Sequence, residues 1–85
     1  MESDQATHHE VVIHVNEQPV QVPKRDSGLQ IKEAAIAQGV PIQVDFVLSL
    51  ELGDHRTKVI GNGDVIEVNE HSRFIAVASD DNSAA

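Results

Sequence analysis

Eighty-five residues allow one domain with one modest core, and with only two aromatic residues, Phe46 and Phe74, that core must be aliphatic. The absence of cysteine excludes disulfides, thiolate zinc sites, iron–sulfur ligation and a cysteine nucleophile. Six Lys and Arg against fourteen Asp and Glu, a net charge of −8, exclude a general affinity for nucleic acid, which needs clustered cations. The negative charge either keeps a small domain soluble or steers it toward proteins with basic faces.

Residues 1–9 are polar and aperiodic and read as a disordered leader. The β-branched run Val11-Val-Ile-His-Val15 predicts a strand over 10–16. Asn16 and Pro19 bound a turn, and Pro19-Val-Gln-Val-Pro23 alternates as the returning strand of a hairpin. Pro19 cannot donate within a central ladder.

Residues 24–28 read as a loop. Ser27 is the expected N-cap of a helix over 29–38, with Gln30 completing a capping-box spacing. Ile31, Ala34, Ala35 and Gln38 form one stripe of that helix, flanked by Leu29 and Ile36. Gly39 stands where a left-handed C-terminal residue is wanted, and Pro41 prevents continuation.

A second alternating strand follows over 46–52, with Phe46, Leu48, Leu50 and Leu52 on one face and Val47, Ser49 and Glu51 on the other. Polar turns at 53–56, 61–64 and 69–72 then separate strands at 57–60, 64–68 and 73–77. Ile60 and Val68 either belong to the core or join the outer face of the 46–52 strand in a small apolar patch. Residues from 78 on form a polar tail, and unrestrained termini are mobile and reachable.

The order of hairpin, helix and three further strands is an α+β arrangement. It packs one helix across a mixed sheet of four to five strands, with the first and last strands central and parallel. This is the β-grasp. The expected organisation is a leader at 1–9, a domain at 10–78 and a flexible tail at 79–85.

No run approaches the ~20 apolar residues needed to span a bilayer, and no basic-then-apolar leader opens the chain. The expectation is a cytoplasmic, monomeric protein that contacts neither membrane nor nucleic acid. His8, His9, His14, His55 and His71 lack the spacing of a metal site and read as scattered surface residues. Asp80 and Asp81 lie in a tail that supplies no cleft, and no Ser has a His–Asp set, so catalytic roles are not expected. Neither a metal nor a cofactor is expected.

The helix end Gly39-Val40-Pro41, the opening Ile13-His14-Val15-Asn16 and the closing Arg73-Phe74-Ile75-Ala76-Val77 carry a resemblance. Over 11–81 the chain resembles bacterial ubiquitin-like domains of the multiubiquitin type. The resemblance implies a protein modifier, encoded beside an adenylating activating enzyme, a conjugating-enzyme homologue and a JAB-type metalloprotease. A peptidase would trim the tail, the activating enzyme would adenylate the new carboxylate with ATP, and the acyl group would pass to a target protein. Defence against phage is the implied setting.

Ubiquitin ends in Gly-Gly, whereas no glycine follows Gly63 in this chain. The tail candidates for processing and conjugation are therefore Ser79, Asp80, Asp81 and Asn82, with Ser83-Ala84-Ala85 removed. Such domains meet partners through the sheet, and Val47, His71, Arg73 and Phe74 are the candidate contacts. Lys24, Lys32 and Lys58 are candidate acceptors of a further modifier. The alternatives are a non-covalent β-grasp interaction module and a thiocarboxylate sulfur carrier.

Overall fold

The computed structural model describes residues 10–79. The leader assigned to 1–9 and the tail candidates Asp80, Asp81 and Asn82 lie outside them. Strands β1 (Glu10–Val15) and β2 (Gln18–Pro23) form the opening hairpin. Asn16 and Glu17 adopt φ of 52° and 69°, the left-handed pair that a two-residue hairpin turn requires. A short strand β3 (Arg25–Ser27) leads into α1 (Gly28–Ala37). Then come β4 (Val47–Gly53), β5 (Arg56–Ile60), β6 (Val65–Glu67) and β7 (Arg73–Val77).

Five strands form one sheet in the order β2-β1-β7-β4-β5, and β3 pairs with β6 in a small second sheet. β1 and β7 run parallel at the centre, and the other pairs of the main sheet are antiparallel. The opening and closing segments are therefore neighbours, as the element order predicts.

The helix begins and ends as its local residues dictate. Ser27 Oγ accepts from the Gln30 N–H at 3.2 Å, and Gln30 Oε1 accepts from the Ser27 N–H at 3.3 Å. Both halves of the capping box are thus made, and two donors at the helix start are satisfied. At the other end the N–H of Val40 reaches Ala35 O at 2.9 Å and that of Gly39 reaches Ile36 O at 3.1 Å. These two bonds are the Schellman pattern, and they need the φ of 101° at Gly39 that only glycine adopts without strain.

Helix α1 lies across the sheet and buries Ile31 and Ala35 against Ile13, Val15, Val20, Val22, Leu48, Phe74 and Ala76. Gln38 is not part of the buried stripe. It is the exposed C-cap, and its carboxamide turns toward β2.

Two expectations change, and one open alternative closes. Residues 25–27 are not loop: they pair with β6, with Arg25 opposite Glu67 and Ser27 opposite Val65. Polar residues hold this strand through ladder bonds set by the tertiary fold, not through β-propensity. Of the two alternatives for Ile60 and Val68, the core holds and the outer patch does not. Ile60 stands opposite Leu48 and shares its inward face, and the Val68 N–H is tied to Lys24 O at 2.8 Å. Leu52 is exposed although its parity matches Leu48, because β4 has run past the core and is irregular between Glu51 and Gly53.

Candidate functional site

The candidate site is the outer face of the sheet together with the root of the C-terminal segment. Alternation along each strand sets what faces out. In β7, Phe74 and Ala76 point to the helix, so Arg73, Ile75 and Val77 point away from it. Register places Val47 opposite Val77, and Ser49 opposite both Ile75 and Val59. Val59 and Val77 are 62% and 52% exposed, and Val47 and Ile75 are half-buried. Together they make an apolar strip across β7, β4 and β5. A hollow of about 380 Å³ beside it is lined in part by Val44, Val47 and Val59.

The four contact candidates separate on this geometry. Val47 lies in the strip. Arg73 is exposed on the same face, opposite His14 of β1. His71 is exposed in the turn before β7, where its N–H donates to Asn69 Oδ1 at 2.7 Å and its Nε2 lies 3.8 Å from Glu70 Oε2. Phe74 is 1% exposed and cannot touch a partner. It is the largest fully buried side chain, and its parity with Ala76 commits it to the core. Sequence reading missed Val59, Ile75 and Val77 as surface groups. Once Phe74 is assigned inward, parity alone places Ile75 and Val77 outward.

The root of the tail is fixed by one side chain. Asn16 Nδ2 donates to Ala76 O at 3.0 Å, and the Ala76 N–H donates to Asn16 Oδ1 at 2.9 Å. The carboxamide behaves as one more peptide unit of β1. It continues the central pairing where the backbone has already turned away, one residue before β7 ends. Ser79, two residues beyond β7, is half-buried.

Two charged groups are buried, and one of them, Lys32, also lines the hollow beside the strip. Lys32 is 4% exposed, and its Nζ donates to Phe46 O at 2.8 Å. That burial removes Lys32 from the candidate acceptors, while Lys24 and Lys58 are exposed. Asp26 is 5% exposed; burial pushes its carboxyl above the usual range, and the hydrogen bond from the Ser27 N–H pulls the other way. Among the described residues no three His, Asp or Glu side chains gather as a metal site. Among the same residues no helix is long and apolar enough to cross a membrane.

A mixed five-stranded sheet with central parallel β1 and β7, and one helix across it, defines a ubiquitin-like β-grasp domain. The multiubiquitin family model matches residues 11–80, and the chain belongs to that family. No curated protein and no solved structure matches it at a significant level.

Proposed function

We propose that this chain is a ubiquitin-like protein modifier of a bacterial conjugation pathway, activated at its C-terminus. Membership of the multiubiquitin family carries the reading. A JAB-type peptidase removes Ser83-Ala84-Ala85, and a residue among Asp80 to Asn82 becomes the new terminus. The new carboxylate attacks the α-phosphorus of ATP on the activating enzyme, pyrophosphate leaves, and an acyl adenylate forms. A nucleophile of the conjugating-enzyme homologue displaces AMP and takes the acyl group, and a target nucleophile then displaces that enzyme group. The catalytic groups belong to those enzymes, and this chain supplies the carboxylate, the arm and a docking face. Two features support that division of labour. The arm leaves from a strand held on both sides, and the apolar strip of Val47, Val59, Ile75 and Val77 adjoins its exit.

The chain without glycine after Gly63 favours a second reading, a β-grasp module bound through its sheet and never activated. One experiment separates them. The full chain is incubated with ATP, the peptidase and the activating enzyme encoded beside it, and its intact mass is followed. A loss of C-terminal residues followed by an ester or amide adduct supports the modifier. An unchanged mass with undiminished binding after deletion of residues 78–85 supports the module.

A further inference from the structure

The two edges of the main sheet are treated in opposite ways. On β2, Gln21 meets the carboxamide of Gln38: its N–H donates to Oε1 and its C=O accepts from Nε2, each at 2.8 Å. Those backbone groups therefore point away from β1. In an antiparallel edge strand alternate residues point the same way, so Pro19 and Pro23 also face outward. Neither proline has an N–H to offer. All three outward positions of β2 are closed, two by proline and one by a side chain that imitates a strand.

The opposite edge, β5, has no such closure. Among the described residues it has β4 on one side and no strand on the other. Its sequence Arg56-Thr-Lys-Val-Ile60 contains no proline and is rich in β-branched residues. Arg56 and Lys58 are exposed, share one face by parity, and make no ion pair among the described residues. A third of the six cations of a −8 chain thus sit on this one strand. Thr57 and Val59 occupy the other face, continuous with the apolar strip.

We propose that β5 is a strand-addition site for an extended acidic segment of a partner protein. Backbone pairing with the open edge supplies the affinity, as in other strand-addition complexes. Acidic side chains at alternate positions lie beside Arg56 and Lys58. Apolar side chains at the intervening positions lie beside Thr57 and Val59 and extend the strip. A second copy of the chain fits less well, since symmetric antiparallel pairing about the middle of β5 sets Lys58 against Lys58. Lysines on an edge also oppose pairing with neutral strands, which leaves an acidic strand as the one they accept.

The test uses the full chain, labelled with ¹⁵N, and a capped octapeptide of alternating valine and aspartate. The expected result is saturable shifts of the 56–60 amides, with the amides of Gln18, Val20, Gln21 and Val22 unmoved. Methylating one alternate set of peptide amides abolishes binding while methylating the other set does not, because a strand bonds through alternate residues. The double variant Arg56→Glu, Lys58→Glu weakens binding on the order of tenfold or more and responds instead to a valine–lysine peptide. Three results overturn the proposal: no saturable shifts at 56–60, binding that ignores which amides are methylated, or a β5-mediated dimer of the chain by sedimentation. No activating enzyme is present, so the outcome is independent of the conjugation reading.

Discussion

Gly28 opens the helix against a turn that closes over it, and its replacement by alanine tests that packing directly. The N–H of Gly28 donates to Asp64 O at 3.0 Å, and that of Leu29 donates to Asn62 O at 3.2 Å. The 61–64 turn thus caps the helix start from outside, while Asp64 Oδ2 braces the turn by accepting from the Gly61 N–H at 2.8 Å. A Cβ on residue 28 would stand 2.3 Å from Gly61 O, 3.0 Å from Gly61 C and 3.1 Å from Ile60 Cγ2. The first two atoms are backbone, so no rotamer change relieves the contact.

Alanine gains up to about 1 kcal/mol over glycine from helix propensity. Overpacking against backbone costs about 1–3 kcal/mol, and loosening the two cap bonds costs about 1 kcal/mol each. The net expectation is a loss of roughly 2–4 kcal/mol. For a domain of this size that lowers Tm by about 10–30 °C, read by far-UV circular dichroism. Gly63→Ala is the control, since nothing lies within 4 Å of its Cβ and its φ is not left-handed. It should leave Tm unchanged or slightly raised. A Gly28→Ala variant as stable as the parent would refute the close approach of turn and helix.

Asn16→Gly keeps the left-handed turn residue and deletes only the carboxamide; it should cost about 2 kcal/mol and speed hydrogen exchange at the Ala76 amide, whereas unaltered exchange there would contradict the tether. Lys32→Ala strips a buried stem and orphans the Phe46 carbonyl, an expected loss of about 2–3 kcal/mol by urea denaturation; Lys32→Met, which keeps the stem, should recover part of it. Asp26→Asn addresses pH. The folded-state pKa of Asp26 lies above its unfolded value, so the folded state keeps the proton longer, and stability falls as pH rises from near 3.8 through the folded pKa. Asparagine removes that penalty, so the variant should gain Tm over the parent at pH 7 and lose the advantage toward pH 3; an advantage that grows on acidification has the wrong sign. Phe74→Ala should cost about 3–5 kcal/mol, while Val77→Ala on the outer face should change stability little yet weaken partner binding, measured by calorimetry.

What the sequence discloses here is what neighbouring residues decide among themselves. Ser27 with Gln30, and Gly39 with Val40, fix both ends of α1 through bonds spanning three to five residues, and each was readable from spacing. The turn at Asn16 was readable for the same reason. Strand β3 was not, because Arg25-Asp-Ser27 becomes a strand only when β6 arrives some forty residues later. The contact candidates divide on a single parity: with Phe74 inward, Arg73, Ile75 and Val77 are outward. An isolated apolar run such as Phe-Ile-Ala-Val does not state which alternate set is buried. The pairing of Gln38 with Gln21 escaped for a different reason. A glutamine on a helix stripe carries no sign that its amide will stand in for a strand across 17 residues.

Side-chain carboxamides do backbone work at two places, and the two together explain how this sheet presents its C-terminal end. At β2, Gln38 ends the sheet, so growth by further strands is confined to β5. At the centre, Asn16 extends β1 by one unit, so β7 is paired as far as Ala76. A groove that draws in the chain beyond Val77 pulls along β7, against ladders on both sides, and strands pulled along their length must break several bonds together. Without Asn16 the last residues of β7 would keep β4 alone, and the outermost pair would fray first. The point at which chain leaves domain is therefore set by Asn16, whose left-handed turn conformation also starts the hairpin. One residue near the beginning of the fold thus fixes where its end emerges, next to the strip of Val47, Ile75 and Val77.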